Sequence, residues 1–562
     1  MTTRLPEFTP IEAPAPGQAN RWWRWGLIAL AVAVLYVVYW RESWSTSASS
    51  DSASTALQAW DVLHGNLLLH GWWMSDVSFY TTEVPQYVLL EAVGGLGPWV
   101  VHAAAAMTYT LIVVLVALLA KGSAGRGSAG RDSAGRDGAT GREGWTRALL
   151  AGLIAASPQA SAAYMLLLGP DHTGTVVPVL AAWLLIDLVR PRWYIPVIVG
   201  VLLTWIMVAD SVVLFTAIAP LIVAAVVRAF RRDHAAQRRY ELGLAAAAAA
   251  AGVLGTLIPR LIVHLGGYRI SPVSFTAMPL GALRHDAWNT IQAVLELFGA
   301  DPFGGYPLTE RVLCVFHFAG VLLALAALCL ALRRFLREDG VLVPALALAI
   351  LVEVASFLFS THAENLASIR EIVAVMPLGA VLAGRLMARP LLAAGSWLAS
   401  LRSASLRLRG FTLGGPARLR VVAAAGRASL IGAGLIVAGY VAAMEYGAAQ
   451  PSVPSNDLPL ASWLVAHRLT DGLAPYWQAG ISTLDAGGKV RVSAVTIHNG
   501  RLAPYNWETD TADYGRHFRN AKFVVTGGKT LGPLPGLAAA ATRTLGPPAH
   551  IYHDGPYTIL TW

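Results

Sequence analysis

The stretch SSDSASTALQAWDVLHGNLLLHGWWMSDVSFYTTEVPQY, residues 49–87, decides how the rest of the chain is interpreted. It follows an apolar run, Trp25–Trp40, that is typical of a membrane span. It contains no Lys or Arg, but it is rich in aromatic residues and carries four carboxylates, Asp51, Asp61, Asp76 and Glu83. Two spans can be joined by a few residues, so a long, acidic and aromatic loop beside a bilayer predicts a site for a polar ligand.

The composition indicates a polytopic membrane protein. Of the 562 residues, 55% are hydrophobic and 13% are charged, whereas soluble domains carry about 25% charged residues. The net charge of +9 alone could suggest a nucleic-acid partner, but the placement of the basic residues argues against one. The two cysteines, Cys314 and Cys329, fall in one apolar run and predict no disulfide framework.

A helix needs roughly 20 apolar residues to cross the hydrocarbon layer, and the sequence predicts about eleven such spans. The candidate spans are residues 25–40, 98–120, 147–168, 173–189, 193–209, 211–229, 241–264, 312–332, 341–359, 367–388 and 428–447.

The distribution of basic residues predicts the orientation of these spans. If the N-terminus is cytoplasmic, 27 of the 42 Lys and Arg residues fall in cytoplasmic segments, as the positive-inside rule requires. The first outer loop, residues 41–97, holds only Arg41. The predicted fold is therefore mainly α, a membrane helix bundle with its N-terminus inside and its C-terminus outside.

Three regions complete the predicted domain organisation. Residues 1–24 form a cytoplasmic tail, and residues 25–447 form the membrane domain. Within that domain lie a disordered cytoplasmic linker at 121–146, which holds Gly-Ser-Ala-Gly-Arg repeats, and a second outer loop at 265–311. Residues 448–562 have a soluble composition with strand-like runs, and they predict a small extracytoplasmic α/β domain.

Charged and polar residues collect at the predicted outer ends of the spans, where they are expensive and usually functional. The candidates are Asp51, Asp171, His172, Asp210, Tyr268, Arg269, Glu364 and Arg370. Their convergence on one membrane face is the strongest functional indication in the sequence. Structural roles stay open, because Asp51 and Asp171 could cap helices and Asp210 could be an exposed turn residue.

The sequence contains none of the common signatures of soluble enzymes. A P-loop, a GxGxxG after a strand, HExxH, CxxC and GxSxG are all missing. The neighbouring pair Asp171 and His172 is compatible with a divalent cation, but it indicates no particular cofactor.

The arrangement resembles the GT-C superfamily of membrane glycosyltransferases, and within it the protein O-mannosyltransferase and aminoarabinose-transferase branch. Members have a long first outer loop with an acidic residue just after the first span, and Asp51 matches that position. Ser368-Ile369-Arg370 is similar to the late arginine of the family, and Tyr476-Trp477 is similar to an aromatic pair of its C-terminal domain. The loop departs from the family at Thr82-Glu83-Val84-Pro85, which stands where relatives often have His-Pro-Pro.

The resemblance implies an inverting transfer of a hexose or pentose from a polyprenyl-phosphate donor to an acceptor of the cell envelope. Asp51 would be the general base, because a buried carboxylate can take the proton of an acceptor hydroxyl. Glu83 or Asp171 would assist it. Arg370, then Arg269 with Tyr268, would hold the phosphate, since guanidinium pairs with phosphate oxygens.

Further substrate contacts are predicted at His172, Asp210, Glu364, Trp72 and Tyr80. Trp72 and Tyr80 could equally belong to the interfacial aromatic belt. Two other functions remain open at this point. A transporter or flippase would place charges near the bilayer midplane and often shows internal repeats. A non-catalytic envelope scaffold would use the C-terminal domain to bind a partner.

Overall fold

A computed structural model describes residues 16–122, 137–231, 237–272, 277–338, 340–407, 416–512, 514–528 and 534–562. Helices dominate up to residue 448, and a sheet with short helices follows. The helices of the first part are α1 (Pro16–Ser43), α2 (Ser50–Leu63), α3 (Val84–Gly94), α4 (Trp99–Lys121), α5 (Asp137–Ala156), α6 (Ala163–Leu166), α7 (Thr173–Leu188), α8 (Ile195–Ala209), α9 (Ala219–Ala229), α10 (Arg238–His264), α11 (Leu283–Leu297), α12 (Leu308–Arg333), α13 (Leu342–Leu358), α14 (Val375–Arg407) and α15 (Pro416–Ala448).

Each of the eleven predicted spans coincides with an apolar helix or a pair of helices. Six helical segments of the described chain are long and apolar enough to cross a membrane. A seventh is a bent pair, Gly141–Ala156 and Ala160–Leu166, with an angle of 70°. Four more apolar helices are shorter and lie within Thr173–Ala229 and Leu342–Leu358. The number that crosses the bilayer and the orientation stay predictions.

Packing in the bundle follows from the apolar runs. Among the long apolar segments, Ser368–Ala393 and α4 are the most buried, whereas α1 is almost entirely exposed along its sides. α4 contacts α1, α5, α7 and α14. An exposed apolar helix such as α1 would be unfavourable in water and is expected in lipid.

The first loop is folded and joins two other parts of the chain. After α2 comes strand β1 (Trp72–Met74), which pairs in parallel with β2 (Arg269–Ile270) of the second loop. On its other side β1 pairs antiparallel with β6 (Thr509–Asp510) near the C-terminus. This three-stranded sheet therefore ties the first loop to the second loop and to the C-terminal region.

The C-terminal region forms a six-stranded mixed sheet. The strands are β3 (Asp471–Ala474), β4 (Arg491–His498), β5 (Arg501–Pro504), β7 (Phe523–Val525), β8 (His550–Asp554) and β9 (Tyr557–Thr561). They lie in the order β5-β4-β3-β7-β9-β8. The predicted strand-like runs correspond to β4, β7 and β9, whereas β3, β5 and β8 were not predicted. The helices are α16 (Leu458–Ala466), α17 (Tyr476–Asp485), α18 (Tyr514–Asn520) and α19 (Leu537–Leu545).

Helices lie inside segments predicted as linker and loop, while the domain boundaries themselves stay predictions. The linker predicted at 121–146 overlaps α5, which already begins at Asp137; Glu143 there is paired with Arg147 and Arg389. The rest of that linker, 123–136, and residues 1–15 of the predicted tail lie outside the described residues. The second outer loop, 265–311, contains the helix α11, and α14 continues to Arg407.

Candidate active site

A cavity of about 220 Å³ lies where the first loop, the turn before α7, the segment before α14 and the C-terminal region meet. Its wall combines five acidic side chains with one arginine, one histidine and several aromatic rings. The polar and aromatic wall residues are Asp51, Asp76, Phe79, Asp171, His172, Arg370, Glu371, Tyr476, Trp477, Tyr505, Trp507 and Glu508.

Asp51 enters the cavity from the first turn of α2. Ser49 is the N-cap of this helix and forms a capping box with Ser52, so Asp51 is not needed as a cap and its carboxylate is free to face the cavity. The carboxylate Oδ1 of Asp51 accepts a hydrogen bond from the Tyr476 hydroxyl at the start of α17. The first loop and the C-terminal region thus meet at the predicted base.

Tyr476 also lies 2.8 Å from Oε2 of Glu508, measured from its hydroxyl oxygen. A phenol has a single proton and cannot donate to two carboxylates at once. When Tyr476 donates to Asp51, its oxygen is therefore available to accept a hydrogen bond from a protonated Glu508. The geometry fits a chain in which Glu508 donates to Tyr476 and Tyr476 donates to ionised Asp51.

The electrostatics of the two acids agree with this assignment. Burial and the nearby Asp51 charge raise the pKa of Glu508 to about 8, so Glu508 holds its proton at neutral pH. Burial also raises the pKa of Asp51, but the hydrogen bond from Tyr476 and the charge of Arg370 act in the opposite direction. Asp51 is the better stabilised of the two anions.

Arg370 supplies the strongest positive charge in the wall. Arg370 lies at the cavity because residues Leu366–Ile372 form a 3-10 helix just before α14. Its guanidinium Nη1 donates to Oδ1 of Asp171 over 3.1 Å, and its side chain is still 45% exposed. Burial raises the pKa of Asp171 to about 6 although the charge of Arg370 lowers it. An arginine that is paired with a carboxylate on one side and accessible on the other can bind a phosphate.

His172 lies between two carboxylates and contacts both of them. Its Nδ1 lies 2.8 Å from Oδ2 of Asp210, and its Nε2 lies 3.3 Å from Oε2 of Glu371. Asp210 is held in turn by the Thr175 hydroxyl and the Val212 amide. Burial alone would lower the pKa of His172, but the charges of Asp210 and Glu371 keep this pKa well above its usual value. The imidazolium is therefore a second fixed positive charge.

Four of the predicted site residues share the cavity wall, namely Asp51, Asp171, His172 and Arg370. Asp210 touches the site only through His172. Glu83 lies behind the wall, where it accepts a hydrogen bond from Thr82 and packs against Gly174. The side chain of Glu364 lies outside the described residues.

The remaining candidates lie beside the three-stranded sheet, away from the cavity wall. The exposed guanidinium of Arg269 stacks over the Trp73 ring with 5.4 Å to the ring centroid. The indole nitrogen of Trp72 donates to Asp61, and the Tyr80 hydroxyl donates to the carbonyl of Leu67. The Tyr268 ring is buried beside the Tyr80 ring. The two roles predicted for Trp72 and Tyr80, substrate contact and the interfacial aromatic belt, both stay predictions.

Glu508 is the important side chain that the sequence did not indicate. It lies in the segment Tyr505-Asn506-Trp507-Glu508, which matches no motif and is more than 450 residues from Asp51. The only available signal was the cluster of aromatic residues around it, similar to Tyr476-Trp477. Among the described residues, no group of three or more His, Cys, Asp or Glu side chains is arranged to hold a metal ion.

Comparison with solved structures identifies the fold. The crystal structure of ArnT from Cupriavidus metallidurans bound to undecaprenyl phosphate aligns with a TM-score of 0.52 and 15% identity, covering 95% of this chain and 98% of that one. This chain therefore shares its overall fold with that structure. No family model and no curated protein matches the sequence.

Two structures of the oligosaccharyltransferase of Archaeoglobus fulgidus are also similar at lower scores. AglB in complex with an inhibitory peptide and a dolichol-phosphate gives a TM-score of 0.42 at 13% identity over 88% of this chain and 69% of that one. The apo form gives 0.45 at 14% identity over 89% and 69%.

Proposed function

We propose that this chain, which has the GT-C fold, is a membrane glycosyltransferase that moves a sugar from a polyprenyl-phosphate donor to a cell-envelope acceptor. The observation that carries the proposal is the pairing, in one cavity, of a carboxylate (Asp51) with an accessible arginine (Arg370). Transfer from a lipid phosphate needs both, a base for the acceptor and a cation for the leaving phosphate.

The reaction would be a direct displacement at C1 of the sugar. The acceptor hydroxyl attacks C1, its proton passes to Asp51, and the bond from C1 to the phosphate oxygen breaks. The electron pair of that bond leaves with the polyprenyl phosphate, whose added negative charge Arg370 stabilises. A single displacement inverts the configuration at C1.

The Tyr476–Glu508 pair would support the base. Tyr476 holds the Asp51 carboxylate in place through its hydroxyl. Protonated Glu508 removes the repulsion that a second anion would exert on Asp51. His172, clamped by Asp210 and Glu371, keeps a positive charge in the wall without acting as a base, since both its nitrogens are occupied.

The predicted topology supports a lipid-linked donor. Nucleotide sugars are cytoplasmic, whereas the positive-inside pattern puts the first loop on the outer face. On that face a sugar donor must arrive attached to a lipid. A divalent cation is not required by this scheme, because Arg370 and His172 already supply positive charge.

The test is transfer in proteoliposomes that contain the purified chain, envelope lipids and polysaccharide as acceptors, and a panel of radiolabelled undecaprenyl-phosphoryl sugars. We expect label to move from at least one donor to an acceptor, with release of undecaprenyl phosphate. Movement of intact donor between leaflets without cleavage would contradict the proposal and favour a flippase.

A further inference from the structure

A second cavity, of about 280 Å³, adjoins the first on the side of the helix bundle. The two cavities share four wall residues, Asp76, Val77, His172 and Glu371. The second cavity extends from this shared wall towards α13. A ligand in the first cavity could therefore place one end in the second without leaving the site.

The walls of the two cavities differ in charge. Arg370 lines the first cavity, but no Lys or Arg of the described chain lines the second. Two histidines, His172 and His362, line the second cavity together with three acids, Asp76, Glu353 and Glu371, and the ring nitrogens of His172 are already engaged by Asp210 and Glu371. A phosphate therefore belongs beside Arg370, and the second cavity disfavours anions.

Glu353 is the most unusual side chain in the second cavity. It comes from α13, is only 2% exposed and lines the cavity. Neither of its carboxylate oxygens has a hydrogen-bond partner among the described residues. Burying such a group without a partner is unfavourable by several kcal/mol, so its retention in a cavity wall suggests that a ligand supplies the missing donors.

The remainder of the wall suits a sugar ring. Ser356 and Ser360 add hydroxyl groups, while Phe215 and Phe357 add apolar surface. Hydroxyl groups of a sugar can donate to Glu353 and Glu371, and its C–H face can pack on the phenyl rings. The volume approaches the lower end of the range for small-ligand sites, roughly 300 Å³.

We propose that this second cavity is the subsite for the sugar of the donor and that it selects a sugar without a negative charge. The inference rests on the proposed function, because it places the phosphate at Arg370 and the sugar one bond away. A uronic acid or a phosphorylated sugar would face three acids, Asp76, Glu353 and Glu371, without a Lys or Arg of the described chain in the wall to pair with it.

The test measures binding rather than turnover, with the full-length chain in nanodiscs. The probes are undecaprenyl phosphate alone and undecaprenyl phosphate carrying glucose, arabinose, N-acetylglucosamine or glucuronic acid. We expect at least one donor with a neutral sugar to bind more tightly than undecaprenyl phosphate alone, and this increase in affinity is the gain. The donor with glucuronic acid should show no gain. The near-isosteric Glu353→Gln variant should reduce that gain about tenfold, because the amide has one oxygen fewer to accept hydrogen bonds from the sugar, and leave binding of undecaprenyl phosphate unchanged.

Glu91→Gln is the matched control. Glu91 is 3% exposed, and its carboxylate oxygens also have no partner within the described ranges, but it lines neither cavity. This variant should keep the full gain. Equal gains in wild type and Glu353→Gln, or tight binding of the glucuronic acid donor, would overturn the inference. Failure to bind undecaprenyl phosphate itself would overturn the proposed function as well.

Discussion

At the scale of single residues, we expect the protonation of Glu508 to control whether Asp51 can act as the proposed base. Because the pKa of Glu508 is about 8, this residue is protonated at neutral pH and becomes an anion beside Asp51 as the pH rises. We expect the transfer rate of the wild type to fall above about pH 8. Glu508→Gln cannot ionise and can still donate to Tyr476, so this alkaline decline should disappear from its pH–rate profile.

Asp471→Asn is a suitable control for that experiment. Asp471 lies in β3 of the six-stranded sheet, accepts a hydrogen bond from the Thr470 hydroxyl and does not line the cavity. It should keep the decline of the wild type. An unchanged decline in Glu508→Gln would show that another group titrates.

The two arginines proposed for the phosphate can be separated. Arg370 lines the cavity, whereas Arg269 stacks on Trp73 outside it. Arg370→Lys replaces the planar fork with a point charge, and it should raise the Kd for undecaprenyl phosphate about tenfold, which is ~1.4 kcal/mol. Arg269→Lys should leave the Kd within a factor of about two. A larger increase in Kd for Arg269→Lys than for Arg370→Lys would instead indicate that the phosphate binds beside the three-stranded sheet.

At the scale of elements, the start of α7 has to fit closely against the first loop. A Cβ on Gly174 would overlap the buried carboxylate of Glu83, while a Cβ on Gly26 in α1 meets no atom within 4 Å. We expect Gly174→Ala to destabilise the protein by about 1–3 kcal/mol through overpacking and to lower transfer by displacing Asp171. Gly26→Ala should be neutral or slightly stabilising. Thermal unfolding in detergent measures the stability of both variants. Equal melting temperatures for Gly174→Ala and Gly26→Ala would contradict the packing argument.

The elements also show what a sequence can and cannot predict here. The apolar helices were predictable because a long apolar run has few alternatives to a membrane helix. The grouping of Asp51, Asp171, His172 and Arg370 was expected because the predicted topology puts all four on one membrane face. Glu508 was not predictable, because its position depends on how the sheet of the C-terminal region docks on α2. That docking uses contacts with no sequence pattern, such as the Ser50 hydroxyl donating to the carbonyl of Tyr476 over 2.8 Å.

At the scale of the whole molecule, the orientation is the main prediction to check. The basic residues predict that the N-terminus is cytoplasmic and that the C-terminal region is outside. A bacterial alkaline phosphatase fused after Trp562 should be active, because this enzyme folds only outside the cytoplasm, and a fused green fluorescent protein should be dark. The opposite pair of results would put the cavity on the cytoplasmic face and reopen the choice of donor.

The assembly of the whole molecule also predicts that the C-terminal region takes part in the proposed reaction. It contributes Tyr476 and Glu508 to the same cavity as Asp51 of the first loop and Arg370 of the segment before α14. The site exists only when the three parts are assembled. The central claim is therefore that Asp51 is the base of a centre shared by the bundle and the C-terminal region.

The most direct test of that claim is the transfer rate of Asp51→Asn with the donor that the wild type uses. The change keeps the shape of the side chain and removes the base, so the rate should fall about 10²–10⁴-fold while binding of undecaprenyl phosphate persists. Asp61→Asn on the same helix is the control; Asp61 accepts a hydrogen bond from Trp72, and Asn can still accept it. A rate for Asp51→Asn equal to that of the wild type, in protein of normal stability, would contradict the account.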